Sequence, residues 1–275
     1  MKTLIACSPK SLPVSQLIAA ARTAVEINPH NHPPLARLAS IMPGFRATPA
    51  RIAVLTKKYW GIQGVSLTVG FLDSPPADLR KRILLHMNAW AQSANVKFVE
   101  TKANPQVRIA RMGGADGGYW SYVGTDILHI KKTDPTMNLE AFTMATAESE
   151  FHRVVRHETG HTLGFPHEHM RKALVDKIDR NAAIKYFMAT QGWSRDEVIA
   201  QVLTPIEESA LMSTEADPKS IMCYQIPGEL TKDGNPIIGG KDIDASDASF
   251  AASIYPKKKS ATPSKTAKAA PGSSR

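Results

Sequence analysis

Between residues 157 and 167 the chain carries three histidines, a glutamate and a glycine at fixed spacing: His157, Glu158, His161, Gly164 and His167. On a helix, residues four apart share a face, so the imidazoles of His157 and His161 can meet one metal ion. Glu158 sits one step round, close enough to reach a water on that metal without becoming a ligand. Gly164 tolerates the left-handed conformation that ends a helix, and the chain then turns back to bring up His167. Three protein ligands with a fourth position left for water describe a catalytic zinc site, whereas structural zinc is usually closed by four. The chemistry such a site implies is hydrolysis of a peptide bond, with Glu158 taking the water's proton and passing it to the leaving amine. His169, two residues past His167, is the competing third ligand, and the motif's spacing favours His167. His152 lies five residues before His157 and points elsewhere, while His30, His32, His86 and His129 have no metal-ligand spacing. The alternative reading is a zinc-bearing peptide- or protein-binding module without catalysis; an intact Glu158 argues against it. A third ligand supplied by a glutamate on a following helix is also disfavoured, because Asp176 and Asp179 stand at that distance.

The spacing predicts a helix over about 146–163 to carry the first two histidines, with Glu148 and Glu150 in its first turn, where the helix dipole favours acids. Upstream, Val65, Leu67, Val69 and Phe71 alternate with Ser66, Thr68 and Gly70 and predict a strand. Ser74-Pro75 is expected to open a helix with Leu79, Ile83, Leu84, Met87, Trp90 and Ala91 as its apolar stripe. Strands are predicted over 96–100 and 107–111, and a further one over 137–144, whose edge would pair with an extended substrate. This β-α-β-β order predicts a mixed sheet with helices against it. Glycines at 113, 114, 117 and 118 lack the lysine and hydroxyl residue of a phosphate loop and read as a turn. Further on, 179–190 predicts a helix closed by Gly192, and Ser194 with Glu197 predicts a capping box.

Length and composition bound the rest. The 275 residues leave room for one good-sized domain with appendages, and 43% hydrophobic against 21% charged residues is ordinary for a globular chain. No run approaches the ~20 apolar residues of a membrane span. The formal charge of +9 suggests a nucleic-acid binder until it is located. Lys257, Lys258, Lys259, Lys265, Lys268 and Arg275 put +6 into residues 256–275, so +9 less +6 leaves +3 on the other 255 residues, which asks for no specific nucleic acid. Three regions are expected: an N-terminal extension over 1–50, with a helix over 12–27 and a proline-rich irregular stretch after it; a catalytic domain over 51–255; and a disordered basic tail over 256–275. Cys7 and Cys223 are too few for a disulfide framework. Leu4 to Cys7 looks like a lipoprotein cleavage box, but its apolar run is shorter than the ~7–15 residues of a signal core, so no export signal is expected in the chain as given.

Beyond the motif, several stretches resemble the astacin family of metzincin proteases. Ser220-Ile221-Met222-Cys223-Tyr224 resembles its Met-turn, and Phe165 to Arg171 its extension of the zinc motif. Tyr119 to Gly124 and Asp247 to Tyr255 are similar to further family segments, so the resemblance spans roughly residues 60 to 256. It implies an α+β zincin fold, with a twisted mixed five-stranded sheet over the zinc helix and a smaller irregular lobe below the cleft. It also implies one zinc per chain, a peptide or protein substrate, a monomer, and secretion by analogy with the family alone. Tyr224 would be a switchable fifth ligand and then a hydrogen-bond donor to the oxyanion, with Met222 a hydrophobic base under the metal. The chain departs from the family in lacking the usual two disulfides, in placing Cys223 where histidine is common, and in showing no aspartate latency motif in residues 1–50. Cys7 also lacks the sequence surroundings of the matrixin cysteine switch.

Overall fold

Alternation along Val65, Leu67 and Val69 buries one side of β1 (Val65–Phe71). The structure, a computed structural model, describes residue 7, residues 10–41, residue 44, residues 46–205 and residues 216–258. β1 pairs in parallel with β2 (Val96–Glu100) on one side and β3 (Val107–Ala110) on the other. Beyond β3 lie β4 (Tyr119–Ser121) and β5 (Met137–Leu139): β5 is parallel to β3, and β4 is antiparallel to β5. The order is β2-β1-β3-β5-β4, the mixed five-stranded sheet of an α+β fold. The strand expected over 137–144 stops at Leu139, because Phe142 N–H closes a turn on the Leu139 carbonyl and Ala141 takes φ 55°. β5 therefore lies inside the sheet, and the edge available to an added strand belongs to β4.

Before the sheet come three helices, α1 (Leu17–Ile27), α2 (Leu35–Ile41) and α3 (Pro49–Leu55). The proline-rich stretch predicted to be irregular thus holds two of them. Pro49 occupies the first turn of α3, where its missing N–H costs nothing, and the Thr48 hydroxyl caps the helix by accepting from Arg51 N–H. Two buried asparagines fasten this region to the chain that leads into β1. Asn28 Nδ2 donates to the Trp60 carbonyl at 2.8 Å, and Asn31 bonds both the carbonyl and the N–H of Tyr59.

α4 (Ala77–Met87) begins later than Ser74-Pro75 predicted, since Ser74 has φ 50° and Pro76 takes the cap position. Its buried residues Leu79, Ile83 and Met87, with Trp90 just beyond, face the sheet and the metal helix. That helix, α5, runs end to end through Glu148–Glu150, a π turn over Phe151–Val155, and Arg156–Thr162. A second apolar cluster, built on Leu174, Ile178, Phe187, Val202 and Ile226, fills a lobe on the other side of the site. It is framed by α6 (Lys172–Val175), α7 (Arg180–Gln191) and α8 (Arg195–Val198), where Asp179 caps α7, Gly192 ends it at φ 68° and Ser194/Glu197 form the expected box. α9 (Ala245–Ile254) closes the described chain, and the predicted tail lies outside the described residues beyond Lys258.

Candidate metal centre

Helix propensity alone would not stop α5 where the chemistry needs it. Gly164, at φ 95°, donates to the His161 carbonyl and Phe165 N–H to the Gly160 carbonyl, the paired bonds of a Schellman end. A side chain at Gly164 would meet the Lys58 carbonyl at 2.9 Å, so glycine is required by space as well as conformation. Two carbonyls left over at the helix end are taken by aromatic side chains from distant parts of the chain. Trp60 Nε1 donates to the Thr162 carbonyl at 2.9 Å and Tyr255 Oη to the Leu163 carbonyl at 2.5 Å. Trp90 Nε1 donates to the Arg156 carbonyl higher up, so three aromatic donors hold the helix at fixed height.

On this helix His157 and His161 are buried with their rings 4.8 Å apart, and the turn after Gly164 brings His167 to them. His157 Nδ1 bonds the Ile221 carbonyl at 2.6 Å and His161 Nδ1 the Phe165 carbonyl at 2.8 Å. A carbonyl only accepts, so each Nδ1 carries the proton and each Nε2 presents a lone pair. His167 Nε2 lies 3.1 Å from one of these and 3.0 Å from the other, and it cannot donate to both. Metal–nitrogen bonds of ~2.0–2.1 Å in a tetrahedron separate donors by about 3.3 Å, close to this spacing. The donor set therefore fits zinc. Burial, and then the neighbouring imidazoles, hold His157 and His167 well below the ordinary histidine range, and burial brings His161 down to about 4. All three are neutral near pH 7, the form that binds metal.

Glu158 is 1% exposed, and burial pushes its carboxyl up to about 8. A cation at the histidines would draw it back towards ionisation. Tyr224 is buried, its Oη without a hydrogen-bond partner among the described residues, and its ring lies 4.3 Å from that of His167. His169 Nε2 bonds the Gln201 carbonyl at 3.0 Å and its ring stacks on Tyr224 at 4.0 Å, so it backs the tyrosine and does not join the convergent nitrogens. Beneath them, Asp247 accepts from Ser220 Oγ at 2.6 Å and Ile221 N–H at 2.8 Å, fixing the turn that presents the Ile221 carbonyl to His157. Met222 Sδ lies where a Cβ on Gly160 would be 2.4 Å away, which is why the third residue after His157 has no side chain.

Two arrangements were not expected from the sequence. Cys7 joins His157, His161 and His167, each offering a donor atom, all within 4.8 Å of one another. Nothing in the spacing flags a cysteine so far from the motif. His86 and His152, expected to stand apart, gather around Glu148 within the same limit. Here Arg82 already pairs with Glu148 at 2.6 Å, and Arg156 donates to His86 Nδ1 at 3.3 Å and to Asp242 at 2.5 Å. Two guanidiniums supply the positive charge, and the group ties the start of α5 to α4 and to the segment before α9.

The model of the Astacin peptidase family matches residues 56–235. Zinc metalloproteinase nas-27 of Caenorhabditis elegans is 30% identical over 125 residues, 44% of this chain and 26% of that protein, so the chain spans about a quarter of that relative's length. A solved structure of myroilysin superposes with a TM-score of 0.67 at 30% identity, covering 74% of this chain and 97% of that one. A second, a crystal structure of myroilysin, gives 0.56 at 31% identity over 73% and 86%.

Proposed function

The chain belongs to the astacin family of peptidases, and from that membership we propose that it is a zinc-dependent endopeptidase with its reacting groups on His157, Glu158, His161, His167 and Tyr224. The three histidines would hold one zinc per chain. Zinc so held would supply Lewis acidity, lowering the pKa of a bound water towards ~7 and polarising the scissile carbonyl. Glu158 takes the water's proton on a carboxylate oxygen and returns it to the leaving amine. Tyr224 Oη, buried and unpartnered, is available to donate to the oxyanion. Met222 packs under the helix as a hydrophobic base, and the outer edge of β4 receives the peptide as an added strand. The same reading takes residues 51–255 as the catalytic domain of a monomer, with 1–50 a pro-like extension, 256–275 a basic tail, and no specific nucleic-acid partner.

One observation carries the reading: His167 Nε2 lies 3.0–3.1 Å from Nε2 of His157 and of His161, whose tautomers two backbone carbonyls fix. Glu158→Gln tests it, because glutamine keeps the shape and cannot accept the proton. Zinc content and melting temperature should stay near the parent's. Cleavage of a diverse peptide library should fall by the ~10²–10⁴ that a general base supplies. Equal cleavage by the glutamine variant would move the active site elsewhere, and peptide binding with no cleavage by the parent would favour a binding module.

A further inference from the structure

Tyr224 is buried and its Oη meets no hydrogen-bond partner among the described residues, so no polar contact there fixes where that oxygen points. Neighbouring rings place the phenol instead. Those of His169, His167 and His157 have their centres 4.0, 4.3 and 6.5 Å from its own. A metal held by His157 and His167 would fix two of the three. The remaining one, His169, is fully buried and lies face to face with the phenol at 18° between planes. It is anchored from the second lobe. A π turn over Ile199–Leu203 follows α8, and Gln201 lies near its end, where carbonyls have no helical partner. His169 Nε2 takes the Gln201 carbonyl at 3.0 Å. Since a carbonyl only accepts, Nε2 carries the proton, and Nδ1 is buried with a lone pair and no partner among the described residues. A leucine would fill the same space without a buried unpaired nitrogen. The imidazole does what no aliphatic side chain can, offering a flat face to Tyr224 and an N–H to Gln201.

Resting on the peptidase reading above, we propose that His169 is a positioning residue for Tyr224, a wall tied to the Gln201 carbonyl that keeps the phenol in one plane. A stacked face opposes tilting of the ring and permits sliding along it, so Oη approaches the oxyanion by a single path. Without the wall, Oη has neither a hydrogen bond nor a fixed plane to hold it, and its donation is spread over many orientations. His169 itself touches neither substrate nor metal, and it acts only through the tyrosine. The π turn after α8 packs Val202 and Leu203 into the second apolar cluster, so the wall is as firm as that lobe.

A mutant cycle in the full chain, loaded with zinc, tests this. His169→Leu should lower kcat by about 10- to 100-fold, the scale of a ~1 Å misplacement, with KM and zinc content near the parent's. In a Tyr224→Phe background the same change should cost nothing further, because no hydroxyl is left to place. Additive losses would overturn the role. His169→Phe keeps a ring and loses only the anchor, so it should retain more turnover than the leucine variant; equal losses would show that Tyr224 does not lean on the ring face. Relaxation dispersion of an isotope-labelled Tyr224 ring, assigned by its loss in Tyr224→Phe, reads the same role without turnover. The parent should be free of microsecond-to-millisecond exchange and His169→Leu should show it. Exchange in the parent, or none in the leucine variant, would overturn the proposal. A parent that cleaves no peptide would remove the peptidase reading and this role with it, whereas cleavage with an additive cycle would remove this role alone. Should His169→Leu misfold, His169→Met, flexible and of similar volume, takes its place in both measurements.

Discussion

Burial sets the protonation of each ligand histidine, and this fixes how the centre answers to acid. Their pKa values are lowered on folding, so the neutral form is favoured in the folded state. The stabilisation is present above the ordinary histidine value of 6.5 and is lost as pH falls from there towards about 4, the value of His161. Zinc, which needs the neutral rings, should be retained at pH 6 and released as pH falls towards about 4, read by a zinc-sensitive dye alongside melting curves. Release already complete at pH 6 would contradict the buried-ligand account. Tyr224→Phe should leave zinc content unchanged and lower turnover by about 10²–10³ if its hydroxyl serves the oxyanion fully, with steady-state kinetics on several peptides as the measure. At this scale His157, His161 and His167 were legible because their meeting depends on local geometry, one helix face and one glycine turn. Cys7, Trp60 and Tyr255 were not, because their partners are reached only through the folded chain.

The metal helix and the Met222 turn are built to each other's shape. Alanine at position 160 would gain ~1 kcal/mol of helix propensity over glycine. Its methyl would also press on Met222 Sδ, and overpacking of this kind costs ~1–3 kcal/mol, the larger effect. Gly160→Ala should therefore lower the melting temperature, yet raise it when made in a Met222→Ala background; additive effects in the double-mutant cycle would show that the two residues are not coupled. Among elements, β1, α4, α5 and the box at Ser194 were legible from period and capping residues, which act within a few positions. The extent of β5 was misread because Met137, Leu139, Phe142 and Met144 keep an apolar rhythm through a turn. The segment around α2 and α3 was misread because a proline in the first turn starts a helix as readily as proline elsewhere breaks one.

Over the whole chain, the charge that suggested a polyanionic partner is concentrated at one end. Ending the protein after Tyr255 removes six positive charges and no residue of either apolar cluster. Folding, zinc content and peptide hydrolysis should persist, checked by circular dichroism, elemental analysis and assay; unfolding would misplace the proposed boundary. Four strands of the sheet follow from apolar pattern, while its fifth, β4, and the division into two lobes were implied by the family resemblance alone, and the pairing of Cys7 and Lys10 with the β4 region follows from contacts that no pattern announces. The aromatic donors at the end of α5 carry one more consequence. Tyr255 caps the Leu163 carbonyl and also accepts the N–H of Trp60, itself the cap of Thr162. The helix end that turns His167 inward is thus completed by a residue 92 positions beyond the carbonyl it caps. While Tyr255 is still unmade that clasp is missing, so the helix end that presents His167 closes only once α9 and the residue after it have been synthesised.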